Sequence, residues 1–205
     1  MAVTDSNTAI IFDLGNVILP FNPKRPGRVL GERAGISTIE ALKIIYRNNL
    51  ERKFELGKLD GEQFTSKVAD ALGIDLEPGS FHDLWVDMFD ENEAVSKIVR
   101  QLKPHHRLVL LSNINPWHWH YARDRFPILS EFDAVVLSYE VGVLKPHPLI
   151  YRVALEKAGL AKQVIFIDDM EINAAGAQVL GITGVHFHSA VQLREDLVRL
   201  GCRFD

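Results

Sequence analysis

Cysteine is nearly absent from this sequence. The single thiol, Cys202, leaves no possibility of an intrachain disulfide, so nothing points to an oxidising compartment and the cytoplasm is the expected location. Charge of one sign is not in excess either. Lys and Arg number 23 against 27 Asp and Glu, a formal net charge of -4, and the two signs are interspersed. No broad basic surface is available to a nucleic acid, which is not expected as a partner. No segment reaches the roughly 18 uncharged apolar residues needed to cross a bilayer. The apolar stretch near the start follows Asp5, is interrupted by Asp13 and has no basic leader, so it reads as a core strand and a membrane role is not expected. Internal repeats and low-complexity linkers are also missing.

What remains is a chain of 205 residues with 47% hydrophobic composition, enough for one full core and a smaller appended unit. Short runs rich in Val, Ile, Leu and Phe end abruptly at polar residues in residues 9–12, 108–111, 134–137 and 164–167, with 184–187 a fifth candidate. Such runs are the mark of buried parallel strands. From residue 91 they alternate with helical spacing over 91–102, 116–125, 148–158, 172–180 and 191–200. This alternation predicts an α/β fold, a Rossmann-like three-layer open parallel sheet with helices on both faces. The interval 22–90 breaks the pattern. It has no strand run and shows amphipathic helices over 38–48, 60–72 and 81–89, so a small helical cap domain inserted after the first strand is expected. The predicted division is a core of residues 1–21 plus 91–205 and a cap of 22–90.

Three strands end in residues suited to chemistry: Asp13 after the first, Ser112 after the second, and Asp168 with Asp169 after the fourth. Strand ends of an open parallel sheet converge on one cleft. Three carboxylates there raise each other's pKa unless a cation neutralises them, and a hard divalent ion such as Mg2+ suits oxygen ligands.

Four ordered segments then resemble the haloacid dehalogenase superfamily: FDLGNV at 12–17, LLSN at 110–113, Lys145 in GVLKPHPLIY, and IDDMEINAAGA at 167–177. The resemblance implies a Mg2+-dependent phosphomonoester hydrolase in which Asp13 is the nucleophile and forms an aspartyl-phosphate. Ser112 and backbone amides near Asn113 and Asn16 would hold the phosphoryl oxygens. Lys145, aimed inward from a loop by Pro146, would supply positive charge. Asp13, Asp169 and the carbonyl of Gly15 would hold Mg2+, with Asp168 as a further ligand or an outer acceptor.

At Gly15 the sequence departs from the superfamily pattern, in which a second aspartate two residues after the nucleophile protonates the leaving group. General acid catalysis is commonly worth about 10²- to 10⁴-fold, so a good leaving group such as a sugar C1 oxygen, or a substitute acid, is expected. The DLGNV wording, with SN and a histidine five residues beyond that Asn, is similar to bacterial α-D-glucose-1-phosphate phosphatases, as is the cap segment ELGKLDGEQF. A small phosphorylated metabolite, for example a sugar 1-phosphate, is the expected partner. His118 is the candidate substitute acid, since an ordinary histidine titrates near 6.5.

Plainer readings compete. Asp168 and Asp169 also suit a helix N-cap, Ser112 and Asn113 suit a turn, and Lys145 alone could be a solvated loop lysine. Trp117, Trp119 and Tyr121 read as core or interface aromatics, His186 and His188 as packed or solvated side chains, and Glu51, Arg52 and Glu55 as an exposed helix face. Carbon–halogen cleavage is the second enzymatic reading, disfavoured by the acidic pair. A non-catalytic module binding a phosphorylated ligand is the reading from a different class. A monomer or a homodimer is expected.

Overall fold

The computed structural model describes residues 8–205; the first seven positions of the 1–21 segment, Asp5 among them, lie outside that range. Five parallel strands, β1 (Thr8–Phe12), β2 (Arg107–Ser112), β3 (Ala134–Leu137), β4 (Gln163–Asp168) and β5 (Thr183–His186), form one sheet in the order β3-β2-β1-β4-β5. The order reverses at β1, which lies between β2 and β4 and brings the ends of these three strands side by side. Phe12 is level with Leu110 on one neighbour and Ile167 on the other. The next residue of each strand therefore opens onto the same edge, the switch point where open α/β sheets bind ligands.

Strand alternation sorts the apolar residues into two layers. Ile10, Phe12, Leu108, Leu110, Ile165 and Ile167 face one side. Ala9, Ile11, Val109, Leu111 and Phe166 face the other, against Ile150, Tyr151 and Ala154 of α9 (Pro148–Ala158) and Ala177 of α10 (Glu171–Gln178). The first side is covered by α6 (Glu93–Leu102) and α11 (Ala190–Arg199), and α6 turns Val95, Ile98, Val99 and Leu102 inward. Both faces of the sheet are buried, which explains why its strands read as continuous apolar runs.

Between β1 and α6 lie five helices, α1 (Lys24–Ala34), α2 (Thr38–Arg47), α3 (Leu50–Glu55), α4 (Gly61–Leu72) and α5 (Pro78–Val86). The expected segments at 38–48 and 60–72 correspond to α2 and α4. Asp60 and Gln63 form a reciprocal capping box at the start of α4, and Gly73 ends it in the left-handed conformation. The segment expected at 81–89 instead occupies 78–86, because Phe89 pairs with Phe21 where the chain returns. There the Asn22 amide donates to Met88 O (2.8 Å) and the Asp90 amide to Pro20 O (2.9 Å), so the outgoing and returning chains run side by side. Helices α1 and α3 were not anticipated: Pro26 and Gly27 obscure the first, and the second has only six residues.

The remaining helices, α7 (Pro116–Arg125) and the short α8 (Ser138–Val141), follow β2 and β3. Trp117 of α7 stands edge-on to Phe54 (5.2 Å between centroids) and also contacts Phe64 and Phe81. The aromatic cluster joins the inserted helices to the sheet layer as one continuous apolar core.

Candidate active site

Asp13 follows β1 directly and keeps its register, its amide donating to Ile167 O at 2.9 Å. Its Oδ1 accepts from the Leu14 amide at 2.7 Å and lies 2.7 Å from Lys145 Nζ. The same ammonium donates to Asp168 Oδ2 at 2.7 Å and approaches Leu111 O at 3.3 Å. Lys145 is 6% exposed and Asp168 fully buried, so this is an interior ion cluster, not a solvated loop lysine. Burial works against the Lys145 charge, but Asp13 and Asp168 outweigh it and hold its pKa above the ordinary lysine value. Burial lifts the Asp13 carboxyl to about 7; Lys145 opposes the rise, and Asp168 and Asp169 add to it.

The neighbouring polar groups are divided between holding this cluster and facing the cavity. Asp168 Oδ1 accepts from the Met170 amide (2.8 Å) and from Asn173 Nδ2 (3.0 Å), so both of its oxygens are engaged. Asn113 clamps the Lys145 backbone, its Oδ1 accepting from the Lys145 amide (2.8 Å) and its Nδ2 donating to the carbonyl (3.3 Å). Asn16, in the left-handed region at φ 54°, donates from Nδ2 to Asp169 Oδ2 at 2.9 Å. Its backbone amide donates to Leu19 O, and the Ile114 amide donates to Ser138 Oγ. These two amides are therefore committed within the fold.

Oxygen atoms of Asp13, Asp168 and Asp169 all lie within 4.8 Å of one another. Both Asp168 oxygens already serve Lys145, Met170 and Asn173, whereas Asp169 is bound only by Asn16, so Asp13 and Asp169 are the more open to a cation. This all-oxygen donor set fits Mg2+. A cavity of about 250 Å³ opens beside them, bordered by Asp13, Ser112, Asn113, Lys145 and Asp169, with Gly15 and Phe21 alongside. The backbone at Gly15 does not require glycine, since a Cβ there would meet nothing nearer than the Phe21 ring at 3.5 Å. The missing aspartate is a matter of side-chain identity, not of backbone strain.

His118 also borders the cavity, but not as the free acid the sequence suggested. Its Nδ1 accepts from Asn115 Nδ2 (2.9 Å), and its Nε2 donates to Trp85 O (3.1 Å). Asn115 caps α7 by accepting from the His118 amide at 3.0 Å. Burial pushes the imidazole down to about 4, partly offset by the Trp85 carbonyl. A neutral ring whose one N–H is committed to the Trp85 carbonyl is not placed to protonate a leaving group.

The residues missed by sequence reasoning are Glu51 and Glu55, which were expected on an exposed face. Both line the cavity from α3. Burial raises Glu51 to about 7 despite its hydrogen bond with Tyr46. Burial and then Glu51 raise Glu55 to about 8, against Lys145 and Arg52. Their four-residue spacing was a signal, since two like charges stacked on one helix face are unfavourable unless something else holds them there.

The profile of the haloacid dehalogenase-like hydrolases matches residues 8–181. The chain belongs to that family. Among haloacid dehalogenase-like relatives, it is 23% identical over 196 residues to a D-ribitol-5-phosphate phosphatase of Bacteroides thetaiotaomicron, covering 92% of this chain and 95% of the relative. It is 25% identical over 202 residues to a sesquiterpene phosphatase of Aspergillus oryzae, covering 95% and 97%. A family enzyme of Bacteroides thetaiotaomicron solved with magnesium and inorganic phosphate superposes with a TM-score of 0.74 at 25% identity, over 86% of this chain and 91% of that one.

Proposed function

We propose that this hydrolase is a Mg2+-dependent phosphomonoesterase acting on a small phosphorylated metabolite through an aspartyl-phosphate on Asp13. The observation that carries the reading is the buried bridge of Lys145 between Asp13 and Asp168, with Asp169 beside it at the mouth of a cavity. Lys145 and the Leu14 amide both engage Asp13 Oδ1, which fixes the carboxylate and leaves Oδ2 as the oxygen to attack phosphorus in line. Ser112, buried at the end of β2 and bordering the cavity, can donate its hydroxyl to a phosphoryl oxygen, and Lys145 offsets the charge of the transferring group. Asp13, Asp169 and the Gly15 carbonyl would hold Mg2+, which supplies charge neutralisation between nucleophile and phosphate. Asp168 and Asn113 act by fixing Lys145, and Asn16 by orienting Asp169.

The same reading divides the chain into a catalytic unit of residues 1–21 plus 91–205 and a cap of 22–90, on the support of the paired chain crossings at Phe21 and Phe89. The cavity combines Glu51, Glu55 and Asn113 with Phe21, Met88 and Phe89, a mixture suited to a hydroxylated phosphate ester with one apolar face. Sugar 1-phosphates head the substrate panel, because an anomeric oxygen leaves with the least need for a proton. Phosphate release from sugar 1-phosphates, polyol phosphates and prenyl phosphates is expected to require Mg2+ and to vanish in Asp13→Asn. Full activity in that variant, or turnover indifferent to chelation, would refute the assignment.

A further inference from the structure

Resting on the Asp13 phosphatase reading, we propose that Glu55 of α3 is the general acid of the reaction, protonating the leaving-group oxygen in place of the aspartate that Gly15 replaces. Glu55 lines the same cavity as Asp13, Ser112 and Lys145 but enters it from the inserted helices. From there a side chain can reach the ester oxygen that departs from phosphorus as Asp13 attacks. Three further observations favour it over the other candidates.

First, its position is anchored to the catalytic strands. Ser138, fully buried, directs its hydroxyl at Glu55 O (2.7 Å) while its oxygen accepts from the Ile114 amide (3.0 Å). One side chain thus ties α3 to the loop that follows Ser112. Two residues on, Gly57 sits against the Tyr139 carbonyl so closely that a Cβ there would lie 2.6 Å from the oxygen. Such anchoring keeps an acid at fixed reach of the reacting atoms.

Second, the groups around Glu55 are Glu51 and Arg52 on its own helix and Lys145 and Asp13 from the sheet edge. Burial and the neighbouring carboxylate together favour its protonated form at neutral pH, the form an acid requires. Third, the alternatives are occupied: both nitrogens of His118 are bonded, and Glu51 is engaged by Tyr46.

The step balances without a further reactant. As Asp13 Oδ2 bonds to phosphorus, the bond from phosphorus to the ester oxygen breaks, and the departing oxygen keeps the electron pair and takes the Glu55 proton. Water then attacks the aspartyl-phosphate phosphorus and gives a proton to the Glu55 carboxylate. Asp13 leaves as a carboxylate, inorganic phosphate is released, and Glu55 is again protonated.

The test is a series of phosphate monoesters whose leaving groups run from p-nitrophenol to simple alcohols, assayed with Mg2+ in wild type, Glu55→Gln and Glu51→Gln. Wild type is expected to show a shallow dependence of kcat/KM on leaving-group pKa. Glu55→Gln is expected to lose about 10²- to 10⁴-fold on alkyl phosphates and little on p-nitrophenyl phosphate, and Glu51→Gln to lose a uniform factor. A steep dependence in wild type, which requires no variant to fold, overturns the proposal. So does a uniform loss or no loss in Glu55→Gln, or a selective loss in Glu51→Gln. Absence of Asp13-dependent turnover even of p-nitrophenyl phosphate would remove the phosphatase reading itself, a result distinct from failure of Glu55 alone.

Discussion

At the scale of single residues, His118 shows how burial redirects a reactive side chain into a structural one. An imidazole that remains neutral in the fold while its ordinary pKa is near 6.5 contributes stability that is complete above that value. The contribution is lost as pH falls toward about 4, where the folded state also takes up the proton. The expected size is about 3 kcal/mol across the window, at about 1.4 kcal/mol per unit. Glu51 and Glu55 have raised pKa values and titrate with the opposite sign, so the comparison must be made against a variant. Urea unfolding of wild type and His118→Gln at pH 7 and pH 4 should show the wild-type advantage shrinking by about 3 kcal/mol; an advantage independent of pH would contradict a buried neutral imidazole. Asp13, Lys145, Asp168 and Asp169 were legible in the sequence because each sits at a strand end or beside a proline. Glu55 was not, because an acidic residue on a helix is ordinarily solvated and only the packing of α3 turns it inward.

At the scale of elements, α3 is too short to stand on its own, since isolated helices below about 12 residues are marginal. Its place depends on the turn that follows it. Gly57 combines φ 66° with its close approach to the Tyr139 carbonyl, whereas Gly35 has φ 65° and nothing within 4 Å of the Cβ position. Both alanine variants meet the left-handed penalty of about 1–2 kcal/mol. Gly57→Ala must in addition displace a backbone oxygen, so it is expected to cost clearly more than Gly35→Ala in chemical denaturation. Equal costs would mean that α3 is not pressed against α8. The sequence showed α2 and α4 through periodicity but not α3, whose stability comes from tertiary contacts such as Phe54 stacked on Phe64 at 4.7 Å.

At the scale of the whole molecule, the sheet order brings Asp13, Asp168 and Asp169 together at the expense of mutual repulsion. A cation that binds only the folded chain relieves this and stabilises the protein through mass action, by about 2.7 kcal/mol at a hundredfold excess over Kd. For a chain of this size the corresponding rise in Tm is about 5–10 °C. Mg2+ is expected to produce that shift in wild type and not in Asp169→Asn, measured by calorimetry with and without chelator. An undiminished shift in the variant would place the cation elsewhere. Among the described residues no helix is long and apolar enough to cross a membrane.

By itself, the sequence determined the sheet, the presence of a helical insertion after its first strand and the identity of the carboxylates at the strand ends. These follow from hydrophobic periodicity and from the cost of burying a charge without a partner, both of which are local signals. Tertiary structure decided the division of labour: which aspartate has both oxygens engaged, which amides are committed, that His118 is closed off, and that Glu55 faces Asp13's cavity. Those outcomes depend largely on contacts between residues far apart along the chain, such as Ser138 with Glu55, 83 positions, and Asn16 with Asp169, 153 positions. Nothing in the spacing along one chain specifies how such distant groups meet.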